Sequence, residues 1–274
     1  MSSEPVKILA TSFVLVDATK VQVIDYRASK GDRLGAVTAN LERKYSETKR
    51  LSGYFWLFAR PHDDGTANSG FPTLGQFAGS QFGAQYGGSQ LGAILTYRLT
   101  GQSDRGATVF GRVTSAIHSS GQEEAALGVR IKPASTIPVA LYAEHRLGFA
   151  NGDNRGTAAY LAGGFGPQEI AGGVQLETYG QAGYKFGPAA SYFFDGSATL
   201  QKNILAGSGT RISVGGGLWT GGQKGTSRLD VGPRASFDLP IGGSRARVFV
   251  DWRQRIDGDA APDSGLALTL TTGF

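Results

Sequence analysis

The sequence predicts an all-β protein: a transmembrane, antiparallel, up-and-down β-barrel of about 12–14 strands, within a range of about 10–16. Three observations carry this. Runs of about 9–13 residues alternate between apolar and polar, which is the period of a strand. These runs exceed the roughly 5–6 residues of a soluble strand and match the roughly 9–11 that cross a bilayer. Glycine is 42 of 274 residues, about twice its usual share of about 7%, and sits both between the runs and within them.

Residues 1–33 are expected to be an N-terminal extension or the first strands; 8–16 and 21–25 read as strands with less regular alternation. The barrel is expected over 34–274. Its early runs are 34–43, 52–60, 88–99 and 107–118. The segment 71–86, rich in Gly, Ser and Gln, reads as a loop, a plug or one further strand. In 123–132, Ala125, Leu127, Val129 and Ile131 oppose Glu124, Arg130 and Lys132. In 137–148, Val139, Leu141 and Ala143 oppose Tyr142, Glu144 and Arg146. The run 157–165 follows. In 173–186, Val174, Leu176, Ala182, Tyr184 and Phe186 oppose Gln175, Glu177, Gln181 and Lys185. Two further runs are 191–203 and 210–220. In 227–239, Leu229, Val231, Ala235 and Phe237 oppose Arg228, Asp230, Arg234 and Asp238. In 244–256, Ala246, Val248, Val250 and Trp252 oppose Arg245, Arg247, Asp251, Arg253 and Arg255, with Phe249 the one apolar member of the wet face. In 265–274, Leu266, Leu268, Leu270 and Phe274 share one face. Ala267, Thr269, Thr271 and Gly273 take the other.

One strand plus turn recurs every 16–20 residues or so, and bacterial single-chain barrels prefer even strand numbers. A soluble barrel or sandwich would turn the apolar stripes inward. Strand length and the mixed Arg, Glu, Gln and Asp of the second face favour lipid outside and a polar lumen. Tyr54, Trp56, Phe58, Tyr97, Tyr184, Tyr192, Phe194, Trp219, Phe237, Trp252 and Phe274 are expected to lie at interface girdles. Glycines within the runs are expected to permit curvature and close packing; Gly215–Gly217 is the densest case.

The composition narrows the function classes. With no cysteine and only His62, His118 and His145, neither a disulfide scaffold nor a thiolate or His-rich metal site is expected. The balance of 27 Lys+Arg against 22 Asp+Glu, dispersed along the chain, gives no nucleic-acid signature. The longest apolar stretch, 8–16, is far short of the roughly 20 residues of a spanning helix. Lys7 behind Glu4, with no clean small-x-small site, makes a poor secretory leader; the natural start is expected upstream. No nucleophile elbow, Walker loop or HExxH occurs, so no enzyme is expected. The Ser115, Ser119, Ser120, His118 and His145 grouping reads as chance. The Asp63–Asp64–Gly65, Asn151–Gly152–Asp153–Asn154 and Asp257–Gly258–Asp259 segments read as turns rather than calcium loops. No cofactor is expected.

The wet faces supply the candidate pore lining. Arg98, Arg112, Arg130, Lys132, Arg146, Lys185, Arg228, Arg234, Arg245, Arg247, Arg253 and Arg255 stand against Glu124, Glu144, Glu177, Asp195, Asp230, Asp238 and Asp251. This is a mildly cationic wall along which an anionic polysaccharide could pass, with Tyr142 and Tyr179 stacking on sugars. A salt-bridged lumen that only braces the barrel is the competing reading. The amphipathic last run, Leu266, Leu268, Leu270 and Phe274, reads as a signal for the barrel-assembly machinery.

Six segments resemble the C-terminal barrel of the NfrA-type phage-adsorption outer-membrane proteins: GGSQLGAILTYRL (87–99), AALGVRIKP (125–133), ETYGQAGYKFG (177–187), FFDGSATLQ (193–201), GGGLWTGGQKGTSRLDVGPRASF (215–237) and DWRQRIDGDAAPDSGLALTLTTGF (251–274). The resemblance implies a plan like that of exopolysaccharide-export porins, in which periplasmic helical repeats precede the barrel; no such 34-residue repeat is present in this sequence. It implies an outer-membrane barrel of a Gram-negative bacterium that passes an envelope polysaccharide, with a periplasmic repeat protein or synthase as partner. The alternative is a non-conducting surface receptor or structural barrel, recognised through its outer loops.

Overall fold

Twelve antiparallel strands close into one ring, each pairing with its sequence neighbours and β1 closing on β12. The computed structural model describes residues 50–60, 89–100, 106–117, 123–134, 136–148, 155–187, 190–207 and 209–274. The strands are β1 (Leu51–Ala59), β2 (Gln90–Arg98), β3 (Gly106–Ala116), β4 (Glu123–Lys132), β5 (Val139–Gly148), β6 (Gly156–Ala171), β7 (Val174–Lys185), β8 (Ser191–Gly207), β9 (Thr210–Gln223), β10 (Thr226–Ile241), β11 (Ser244–Gly258) and β12 (Gly265–Gly273). The expected segments 34–43 and 71–86 lie outside the described residues.

Even strand number brings both ends of the barrel sequence to one rim. The β6–β7, β8–β9 and β10–β11 connections at that rim are two residues each. Gly172 and Gly173 have φ +59° and +78°, the mirror-image turn whose twist matches that of the flanking strands. The opposite rim carries the end of β1, the start of β2, the two-residue β9–β10 turn and the β11–β12 loop.

The alternation resolves into outside and inside as expected. Leu95, Leu127, Leu141, Leu147, Leu161, Leu200 and Trp252 are exposed on the outer wall, Leu127 at 70%. Their inward neighbours in sequence are buried: Ala126, Tyr142, Arg146, Tyr160, Thr199 and Asp251. A closed ring leaves no backbone edge unpaired, and an apolar outer wall of this extent has a favourable solvent only in lipid. The two last strands follow the expected register. Ala267, Thr269 and Thr271 are buried, while Phe274 stands out at 64% exposure.

Two expectations are corrected. The run expected to end at residue 165 continues as β6 to Ala171. Gly166–Pro167 is absorbed by a register shift between Phe165 and Gln168, because a bulge tolerates a residue that cannot donate to the ladder. Four aromatics expected at the girdles, Tyr54, Trp56, Phe58 and Trp219, point inward and are buried. In β1 both faces are apolar, with Leu51, Phe55 and Leu57 outside, so alternation carried no sign. Tyr97, Tyr184, Tyr192, Trp252 and Phe274 do lie outside and exposed. Tyr184 pairs with Tyr192 across β7–β8 and packs edge-on against Phe186, near the rim opposite the termini.

The glycines inside strands make room for rings. Trp56 is paired with Gly92, Phe110 with Gly128 and Phe194 with Gly222. In each case a Cβ on the glycine would collide with the facing ring. Gly217 does the same for Trp219 on its own strand, and Gly53 for Phe274. Aromatic cover over a sheet glycine restores the contact that the missing side chain would have made.

Candidate functional site: a side-chain-filled lumen

Every strand contributes inward residues, and they form two seams. The first is aromatic. Tyr54 and Trp56 on β1, Ile94 on β2, Phe110 on β3, Tyr142 on β5 and Tyr160 on β6 form one buried cluster, with Phe193 of β8 packed against it. Tyr142 and Tyr160 are a cross-strand pair, stacked at 4.8 Å with planes 5° apart. Phe110 meets Tyr142 edge-on at 5.9 Å. Phe193 meets Tyr160 edge-on at 5.7 Å.

This seam encloses a four-charge group. Arg112 Nη2 donates to Glu124 Oε1 at 2.8 Å and to Glu144 Oε1 at 2.7 Å. Arg146 Nε donates to the same Glu144 oxygen at 2.6 Å. The Tyr160 hydroxyl donates to Glu144 Oε2 at 3.3 Å. Arg146 also lies over the Phe193 ring at 5.3 Å. Two cations between two carboxylates leave no net charge. Mutual hydrogen bonding makes such a buried group tolerable.

The second seam is ionic. Arg234 holds Asp251 bidentately at 2.6 and 2.8 Å, and Arg253 reaches the same carboxylate at 3.2 Å. The two guanidiniums lie over the Trp219 ring at 5.0 and 4.6 Å. Arg234 also covers Phe249, and Arg253 covers Phe58. A desolvated cation over an aromatic face gains more than one in water. Nearer the rim opposite the termini, Arg228 grips Asp230 bidentately at 2.9 and 2.8 Å.

Contacts also cross the lumen. Arg247 of β11 bonds Asp238 at 2.6 Å and reaches Glu177 of β7 at 3.4 Å. Those two strands are four places apart in the ring, so the contact is a chord. Ser236 of β10 donates to Gln201 of β8 at 2.7 Å.

All nineteen residues expected to line the lumen lie within described strands, and the structure gathers most of them into these groups. Lys132 and Lys185 are buried; Arg98, Arg130, Glu177, Asp195, Arg234, Arg247, Arg253 and Arg255 are partly buried; Arg245 is exposed beside the β10–β11 turn. Tyr142 and Tyr179 are buried, and the Tyr142 ring face is taken by Tyr160. Sequence reasoning missed Arg60, buried at 2%, and the inward aromatics of β1. The parity of residues 54, 56, 58 and 60 was the available signal.

Among the described residues no group of carboxylates and histidines is arranged to hold a metal ion. Asp259 instead caps the start of β10. Its carboxylate accepts the Ser227 N–H at 3.2 Å, which holds it below the usual carboxylate range. Gly258, the last residue of β11, has φ +89°, a backbone conformation that favours glycine. His145 faces outward and pairs with Thr157 at 3.2 Å. His118 and the segments 63–65 and 151–154 lie outside the described residues.

The fold and its outward chemistry together define a membrane-spanning β-barrel protein. No family model and no curated protein matches the chain. Solved structures are similar at low identity. LpxR from Salmonella typhimurium has TM-score 0.40 and 10% identity, covering 81% of this chain and 99% of that one. The β domain of the Bordetella autotransporter BrkA has TM-score 0.37 and 13% identity, covering 82% and 98%. A bacterial polysaccharide outer membrane secretin has TM-score 0.38 and 9% identity, covering 82% and 98%.

Proposed function

We propose that the protein is an outer-membrane barrel of a Gram-negative bacterium that is closed to solutes and serves as a surface receptor or structural barrel through its loops. The observation that supports this is the dryness of its lumen charges. In a water-filled channel the lining charges are wetted. In this barrel Asp251 is 0% exposed, Asp230 1% and Glu144 2%, each locked to arginines. The Arg247–Glu177 chord would have to swing aside before a polysaccharide could pass.

The rim of the β6–β7, β8–β9 and β10–β11 turns faces the periplasm in this reading, and the rim of the β11–β12 loop faces outward. The barrel-assembly machinery would read β12, whose Leu266, Leu268 and Leu270 face the outer-membrane lipid. The role is non-enzymatic. Planar-bilayer recording of the full chain tests the reading: the expected result is no steady conductance above the lipid baseline. Reproducible open steps would refute closure and favour polysaccharide passage.

A further inference from the structure

The β11–β12 loop does not project away from the barrel; it folds into the mouth. Ala260 is 1% exposed although it sits in a loop. Arg228 Nη1 donates to Ala260 O at 3.1 Å and Pro262 O at 2.8 Å. Arg255 Nη1 donates to Ala260 O at 3.1 Å, and Arg60 Nη2 donates to Asp263 O at 2.9 Å. Three guanidiniums from β10, β11 and the end of β1 thus hold three consecutive-region carbonyl oxygens.

The carboxylates of this mouth are already engaged. Asp230 is taken bidentately by Arg228, Asp251 by Arg234 and Arg253, and Asp263 by Arg255. Asp195 of β8 stands in the field of Arg253. Arg60 shares Asp230 with Arg228. Its closest carboxylate contact is Asp230 at 3.6 Å, and among the described residues its Nη1 makes no hydrogen bond. Its backbone is fixed on both sides by Ser89 Oγ, at 2.9 and 3.0 Å. A buried guanidinium held by neutral carbonyls, with a donor unused, favours an anionic oxygen in their place, because charge-assisted hydrogen bonds are roughly twice as strong as neutral ones.

We propose that residues 259–264 are a displaceable strap over an anion site, in which Arg60, Arg228 and Arg255 hold carbonyl oxygens where the oxygens of a phosphate group bind once the strap lifts. The planar fork of arginine suits a tetrahedral oxyanion, and Arg60, which has only a share of the Asp230 carboxylate held bidentately by Arg228, brings a further cation to it. The site goes beyond the receptor reading and does not depend on it: it requires only that the mouth be reachable from water or from the adjoining lipid leaflet.

The chain has no cysteine, so one label reports on the strap cleanly. The full-length Ala261→Cys protein, refolded in detergent, carries an environment-sensitive fluorophore at that exposed position. Inorganic pyrophosphate is titrated at constant ionic strength, and phosphatidic acid in mixed micelles forms a second arm. The expected result is a saturable fall in label anisotropy as the strap lifts, with half-saturation at least tenfold weaker in Arg60→Gln and in Arg255→Gln. A response to pyrophosphate assigns a free phosphate ligand, and one confined to phosphatidic acid assigns a lipid headgroup. No response in either arm, or an equal response to chloride or in both variants, would overturn the proposal. The second variant guards against a folding defect in the first, because Arg255 contacts an exposed Asp263 carboxylate.

Discussion

Asp251→Ala is the perturbation that reports most on the lumen. Asp251 is fully buried and is shared by Arg234 and Arg253, which flank the Trp219 ring. Removing it strands two guanidiniums. In a dry interior, breaking a buried pair from one side costs about 3–5 kcal/mol. In a wetted lumen the same pair would contribute about 0–1 kcal/mol. With a urea slope of about 2 kcal/mol/M, the dry case lowers the unfolding midpoint by about 2 M and the wet case by less than about 0.5 M. The assay is urea unfolding in lipid vesicles, followed by tryptophan emission; Trp219 sits at the altered site. Replacing Arg234, Asp251 and Arg253 together by apolar residues of similar volume should recover much of the loss. A shift below about 0.5 M for Asp251→Ala would refute the filled lumen.

Four further outcomes are expected. Leu127→Arg places a charge on the lipid face and should cost about 2–4 kcal/mol at mid-depth, read as a lower unfolding midpoint in vesicles. Gly92→Val should displace the Trp56 ring and cost about 1–3 kcal/mol by overpacking, visible as a change in tryptophan emission and an earlier gel shift on heating. Arg247→Ala and Glu177→Ala should show a coupling below about 1 kcal/mol in a double-mutant cycle, because both groups are partly exposed. The Asp259 cap has a depressed carboxyl, so its contribution is present above the ordinary aspartate range near 3.9 and is lost only as pH falls through its lower folded value. The protection factor of the Ser227 amide, its exchange rate relative to the free-chain rate at the same pH, should therefore hold at pH 4 and fall at more acidic pH.

Which face points where was legible wherever the two faces of a strand differ in polarity. In β4, β5, β10 and β11 the Arg, Glu and Asp positions named from sequence are the inward ones, and Phe249 was correctly the apolar residue on the wet side. In β1 both faces are apolar, and the inward set of Tyr54, Trp56 and Phe58 reads from sequence alone as a girdle. The strands' reach past a proline was hidden for a different reason: pairing register, not local propensity, decides whether a bulge absorbs Gly166–Pro167. The lining residues could be named from parity, but not their partners. That Arg112 serves both Glu124 and Glu144, that Arg247 crosses to Glu177, and that Arg60 joins the β11–β12 loop all depend on ring closure and on long side chains meeting across the lumen. Sequence spacing contains none of that. It therefore left open whether the cationic wall lines a channel or braces a closed barrel.

The most direct test of the account is a paired single-cysteine quenching scan in lipid vesicles, made simple by the cysteine-free chain. Labels at Leu127, Leu141 and Leu161 sample the outer wall, and labels at Ala126, Ala140 and Ala162 sample the buried inner face. The account predicts quenching of the first set by a lipid-borne quencher and of the second set by neither lipid-borne nor aqueous quencher. Strong aqueous quenching at Ala126, Ala140 and Ala162, or the absence of lipid quenching at the three leucines, would contradict it.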